Sequence, residues 1–390
     1  MENTEKEISS IDNVRFAVYV ALLVVFLAFA YEFYLQGGSD YVSPDGKHYL
    51  AIAQGETHLY PYNVRILKPF IVRTLTSFTN LPVMSAFHLL TIVELATSMI
   101  FLIILLQRRK TPALWQTSVL LGFGVPLAIL YGHMPVLVDP LLLLFTVLVI
   151  AALDRNNLWM AMLCICLASI TKEYGVLLTL IWAVHAQRTL PKWLAYSGAG
   201  LPVVIILMTM LLNPAPENPV SKEGQNFFTL SVQYLLNLSD HVGSSLSKTL
   251  YIWLWAILWP VFLMAALTLG RAFKNRLARN HDHIDFVLIL LGLPLLMLGD
   301  WNRSFIMLVP FACNASLNHP LIKDRHFSLL LIIGGITTSL NSYAFSRFQP
   351  PRMFIFIMIA LSITTSVLIL VKIGKSIMDM RVYLPINVRI

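Results

Sequence analysis

"LWMAMLCICLASITKEYGVLLTLIWAVHAQ", residues 158–187, runs thirty residues with one Lys–Glu pair near its middle. Read whole, it is too long for a single membrane crossing, which takes about 20 apolar residues. Read as 158–171 and 174–187, it makes two short helices broken at "TKEYG". The choice sets the direction of every later helix. Fusing the two would carry the basic cluster "RAFKNRLARN" (271–280) to the outer side of a membrane, against the bias of Lys and Arg toward the cytoplasm. Charge therefore predicts two helices.

The surrounding sequence is equally apolar. Hydrophobic residues make up 57% and charged residues 12%, where ordinary soluble domains carry about one quarter charged. A bilayer is the expected solvent. Backbone groups in lipid must bond internally, which leaves helices or a closed barrel, and long continuous apolar runs without period-two alternation favour helices. Candidate spans fall at about 16–36, 82–106, 113–131, 138–153, 158–171, 174–187, 194–213, 249–270, 284–299, 304–318, 327–345 and 353–371. They form a single membrane domain over 1–390, with a first span at 16–36, a first extracytoplasmic loop at 37–81, the remaining spans at 82–371 and a cytoplasmic tail at 372–390. The polar "MENTEKEISSIDNVR" precedes an apolar run without a small-residue cleavage site, so that run reads as an uncleaved span. Cys164, Cys166 and Cys313 sit in apolar runs and read as small core residues. No internal repeat is visible.

The net charge of +8 belongs to membrane topology rather than to a nucleic-acid partner. With both ends in the cytoplasm, 18 of the 28 Lys and Arg lie inside. Five unusual segments then share the outer side: 41–70, "YGHMPVLVDP" (131–140), "TKEYG" (171–175), "GDWNRS" (299–304) and "SRFQPPR" (346–352). A fourteen-residue helix rises roughly 21 Å, short of a hydrocarbon core of about 30 Å. Lys172, Glu173, Asp300 and Arg303 are thus expected below the outer surface, lining a polar funnel open outward.

In 41–70, "SPDGKHYLAIAQG" predicts a short helix stopped at Gly55, with Asp45, His48, Tyr49 and Ile52 on one face. Asp45 suits an N-cap and suits chemistry; both readings stand. "PYNVRILKPFIVRTL" predicts a second, interfacial helix on which Lys68 and Arg73 snorkel to the lipid phosphates, while Arg65, beside Pro61 and Tyr62, is the functional candidate. Asp139, before Pro140, reads by default as an N-cap. Lys172 and Glu173 pair with each other or with Arg303, and Asp300 holds Arg303 or Trp301. His133 occupies a tight loop. Glu94, the one deep charge, reads as a structural acid, and Arg347 and Arg352 as interfacial anchors. Segment 226–246 either covers the funnel or connects two spans.

"DGKHYLAIAQG" followed by "PYNVRILKP" resembles the first outer loop of the GT-C class of integral membrane glycosyltransferases. "TKEYG" is similar to a Lys-Glu turn of many members, and "DWNRSFIMLVP" to their late Arg-then-Pro span. The resemblance implies an all-α polytopic bundle of about 12 spans with short interfacial helices in the first outer loop. It implies a polyprenyl-phosphate sugar as donor. Asp45 would be the general base, with Arg65, Lys172, Arg303 and His133 binding the donor phosphate. His48, Tyr49, Tyr62, Asp139, Glu173 and Asp300 would bind substrate or support. With no soluble domain, a lipid-linked glycan or glycolipid is the expected acceptor rather than a polypeptide. Asp40 and Asp45 are five apart, without a "DxD" or "ExD" pair, so no metal ligand is assigned and no cofactor is required; a Mg or Mn ion stays the alternative. The expected setting is a bacterial plasma membrane with the site facing outward. The rival reading is a secondary transporter or lipid flippase, which would place its site near the midplane among repeats. An acyltransferase would draw on His48 or His133, neither of which has an acidic partner motif.

Overall fold

The computed structural model describes residues 42–56, 62–214, 309–315, 319–339 and 352–382. The first span, segment 226–246, the spans at 249–270 and 284–299, and Asp300, Arg303 and Arg347 lie outside the described residues. Every regular element among the described residues is helical.

The first helix, α1 (Pro44–Ala53), begins with Pro at its first turn, and the Ser43 hydroxyl accepts from the Gly46 amide at 3.0 Å. Ser43 is therefore the N-cap. The chain leaves α1 through Gly55, whose φ of +94° is in the region glycine alone enters freely. A 3-10 turn (Tyr62–Val64) leads into α2 (Leu67–Thr79), which Asn80 ends in a left-handed conformation. The long α3 (Val83–Arg108) follows. Next, α4 (Ala113–Val119), a π turn (Leu120–Gly124) and α5 (Val125–His133) succeed one another without a break. A widened turn of this kind shifts the faces of the two halves relative to each other.

The stretch 158–187 breaks at Lys172. Helix α7 (Leu158–Thr171) stops there because Lys172 is extended (φ −157°, ψ 133°). A 3-10 turn (Glu173–Leu177) reverses the chain into α8 (Leu178–Ala186). The reversal depends on Gly175: a Cβ there would lie 2.4 Å from the Ala168 carbonyl carbon. Trp182 Nε1 donates to the Leu158 carbonyl at 2.9 Å, and His185 lies 2.9 Å from Asn156 Oδ1. The end of α8 has thus returned to the start of α7. The stretch is two helices, as charge predicts, although the second begins as 3-10 structure rather than as the α-helix expected from 174.

The remaining elements are α6 (Asp139–Leu153), α9 (Lys192–Leu212), α10 (Val309–Ala315), a 3-10 turn (Pro320–Lys323), α11 (Arg325–Ser339) and α12 (Arg352–Val382). The last extends beyond the expected span of 353–371, so part of the predicted tail is helical. Helix α6 packs along α3 and α7, and α11 along α12. Between α3 and α9 the chain alternates between two ends. Arg109 meets Asp154 at 2.6 Å at one end. At the other, Thr91 Oγ1 donates to the Pro135 carbonyl and Asn63 Nδ2 to the Asn213 carbonyl. The core is contiguous, and Cys164, Cys166 and Cys313 are buried in it.

Two described helices, Val83–Arg108 and Lys192–Leu212, are long and apolar enough to cross a membrane; four more are apolar but shorter. α9 exposes Leu201, Val204, Leu207, Leu211 and Leu212 along its length. At 131–140 the turn between α5 and α6 is buried at Val136, Leu137 and Val138, and α1 lies close over it, with Gly46 against Val136.

Candidate functional site

Three of the five unusual segments meet at one end of the helices. Segment 41–70, the 131–140 turn and "TKEYG" are joined there by named side chains.

The half-buried Asp45 is in the first turn of α1, but it does not cap the helix, since Ser43 does. Its Oδ1 accepts from the Tyr62 hydroxyl at 2.9 Å. The Tyr62 ring stacks on His48, centroids 4.1 Å apart, and meets Tyr49 edge-on at 5.5 Å. The predicted α1 face of Asp45, His48 and Tyr49 therefore turns toward one aromatic ring. Burial first, then the charge and hydrogen bond of Asp45, push the Tyr62 phenol well above its ordinary range.

Arg65 follows three residues later, its guanidinium 5.6 Å from the Tyr62 ring centre. Glu173 takes it in a two-point fork: Nε donates to Oε2 at 2.7 Å and Nη2 to Oε1. Nη1 donates to the Tyr49 hydroxyl at 3.0 Å. Such planar, two-bond pairing is the geometry in which Arg binds carboxylates most strongly. Burial alone would raise the Glu173 carboxyl, but the Arg65 charge and its hydrogen bonds outweigh burial and hold it below the usual range.

Lys172, beside Glu173, pairs elsewhere. Its Nζ donates to Asp139 Oδ1 at 2.7 Å, and it also lies 4.8 Å from the Tyr174 ring centre. Lys172 is 2% exposed and Asp139 1%. Two expectations are corrected here. Asp139 does not N-cap α6, whose cap position is Val138, without a side-chain bond. Nor do Lys172 and Glu173 pair with each other: the extended backbone at Lys172 sends the two side chains to different partners.

Lys68 carries a further correction. A snorkelling side chain would reach for water, yet Lys68 is wholly buried. Its Nζ donates to Thr91 Oγ1, Glu94 Oε2 and the Leu137 carbonyl at 2.7, 2.8 and 2.8 Å. An ammonium has three protons, so the set is complete. Glu94, expected as a structural acid, is this lysine's counter-ion. The pair was detectable in principle, because a buried carboxylate needs a cation and Lys68 lies on the preceding helix. Separate local explanations for each residue hid it. Tyr49 as an Arg65 partner, and the tie from Asn63 to Asn213, left no comparable trace in the sequence.

The site is thus drawn together but tightly paired. Lys172, expected to line an open funnel, and Arg65, expected to bind the donor phosphate, are almost entirely enclosed and answered by carboxylates. Asp45 and His48 keep partial exposure. His133 ends α5 at the same turn. Among the described residues, no three His, Cys, Asp or Glu group as a metal-ligand set. Comparison of the chain with protein-family models, with curated proteins and with solved structures finds no match.

Proposed function

We propose that this chain is a multi-pass membrane glycosyltransferase resembling the GT-C class, transferring a sugar from a polyprenyl-phosphate donor on the extracytoplasmic side. The observation that carries the reading is the position of Asp45. It is excused from helix capping, is partly accessible, and is held by Tyr62 at the end where Arg65, Lys172 and Asp139 gather.

The chemistry follows from those groups. An acceptor hydroxyl oxygen attacks the anomeric carbon and forms the new glycosidic bond. Its proton passes to Asp45, a step worth typically 10²–10⁴ in rate. The bond from the anomeric carbon to the phosphate oxygen breaks, its electron pair leaves on the lipid phosphate, and the anomeric centre inverts. Charge developing on that phosphate is best met by donors already fixed in place. Arg65, set by Glu173 and Tyr49, and Lys172, set by Asp139, have that rigidity. Direct phosphate grip is assigned to Arg303, with His133 beside the site. The acceptor is a lipid-linked glycan or glycolipid.

A transporter reading would rest on the deep Lys68–Glu94 pair. Its ammonium already donates three times within the protein, which suits a fixed joint better than a site of exchange.

The test incubates purified protein with a panel of polyprenyl-phosphate sugars and candidate lipid acceptors and follows release of lipid phosphate. Transfer is expected with at least one donor, reduced 10²–10⁴-fold in Asp45→Asn. Full transfer by a folded Asp45→Asn protein removes the proposed base, and silence across the panel removes the reaction.

A further inference from the structure

A carboxylate that serves as a base works best when its lone pair is aimed and its charge is kept until substrate arrives. Tyr62 is built to control both at Asp45. It comes from the 3-10 turn between α1 and α2, not from Asp45's own helix, and it makes a 2.9 Å bond to Oδ1. Its ring is clamped by His48 on one face and approached by Tyr49 edge-on. Asn63, the next residue, is buried and tied to the Asn213 carbonyl at 2.8 Å. Two residues further, Arg65 is locked by Glu173 and Tyr49. The turn that carries the phenol is thus fastened to the ends of α7 and α9 and, through Tyr49, to α1 itself.

We propose that Tyr62 is a positioning residue for Asp45: its hydroxyl fixes the carboxylate's rotamer and, by donating a hydrogen bond, favours the ionised form in which Asp45 accepts a proton. The inference rests on the reading of Asp45 as the base, and adds to it the group that tunes it. A bond donated to a carboxylate stabilises the charged state. Reciprocally, the phenol is harder to ionise beside Asp45, as its upward shift reflects. The other charged or titratable groups on the elements packed here are Lys47, His48, Tyr49 and Glu56 on α1 and its end, Arg65 in the turn, Lys68 and Arg73 on α2, Glu173 behind Arg65, and the Lys172–Asp139 pair at the same end. Lys68 and Arg65 are already committed to Glu94 and Glu173. The stretch 134–138 beneath Gly46 contributes only apolar residues.

Tyr62→Phe keeps the ring that stacks on His48 and removes only the donor. Two measurements on this variant separate the inference from the function it rests on. The first is an infrared titration of carboxylates, with Asp45→Asn used to identify the Asp45 band. In Tyr62→Phe that band's midpoint is expected to rise by roughly one pH unit, since a hydrogen bond to the ionised form is lost. The second is the pH profile of sugar transfer, whose acid limb should rise by the same amount, with kcat reduced and KM little changed. An unmoved Asp45 band overturns the inference whatever the enzyme does. A band that moves in a protein that transfers no sugar supports the tuning and sinks the glycosyltransferase reading instead. Should Tyr62→Phe fail to fold, a fluorinated tyrosine placed at position 62 keeps the shape. Its stronger donation must lower the midpoint; a midpoint that stays or rises overturns the inference.

Discussion

Lys68 Nζ and Glu94 Oε2 lie 2.8 Å apart, each with essentially no exposure, on helices α2 and α3. This ion pair fastens α2 to the bundle. Through the Leu137 carbonyl it also grips the buried turn that precedes Asp139. Breaking one side strands the other charge. Lys68→Met or Glu94→Gln alone is expected to cost about 3–5 kcal/mol, while the double variant Lys68→Met/Glu94→Leu should recover a large part of that loss. Thermal unfolding in detergent, followed by size-exclusion of the surviving fold, reads the difference. Additive single and double losses would contradict the pairing.

Arg65 and Glu173 give the fold an acid-sensitive clasp. The Glu173 carboxyl is held below its ordinary value. Its contribution to stability is therefore fully present above the unfolded value, about 4.3, and is lost as pH falls through the lower folded value. Melting temperatures of wild type and Glu173→Gln should differ most near neutrality and converge on acidification. Arg65→Lys, which cannot reproduce the fork, should lower the neutral melting temperature without restoring the slope. A wild-type advantage that survived below the folded value would exclude the clasp.

The elbow after α7 tolerates no side chain. Gly175→Ala drives a methyl group into the Ala168 carbonyl and the Ser169 amide, at 2.4 and 2.6 Å. Neither is the end of a flexible side chain, so the loss should reach or exceed the roughly 1–3 kcal/mol of overpacking. Gly200→Ala is the matched control. Nothing lies within 4 Å of its added carbon, and the better helix former should leave stability unchanged or raise it by up to about 1 kcal/mol. Equal effects at the two glycines would refute the steric account.

Sidedness is open to chemical labelling, because the native thiols Cys164, Cys166 and Cys313 are buried. Cysteine introduced at the exposed Lys47 should react with an impermeant maleimide on intact cells. At the exposed Arg155, on the opposite end, it should react only after permeabilisation. The reverse pattern would turn the proposed site toward the cytosol.

Local patterns carried the helices and failed on partners. The limits 158–171 and the break at Lys172 follow from apolar run length and from where charge is tolerated, both of which are local. The shared face of Asp45, His48 and Tyr49 follows from helical spacing. What each charged group touches depends on contacts 17 to 108 residues distant, and no local spacing encodes those. Asp45, Asp139 and Lys68 each had a sound local explanation, as cap, cap and anchor. For Asp139 and Lys68 a distant partner in a water-poor interior offered more than the local role could, and for Asp45, which stays partly exposed, Ser43 took the cap and Tyr62 the carboxylate.

Helix α7 has fourteen residues, so the α7–α8 hairpin falls several ångströms short of a normal hydrocarbon thickness. Set into lipid, it has Trp159, Met160 and Leu163 facing outward, and the surrounding leaflets must pinch to meet it. Hydrophobic mismatch is usually relieved by such thinning or by tilt. Headgroups drawn inward beside this hairpin would bring the polar boundary closer to the enclosed Lys172–Asp139 pair.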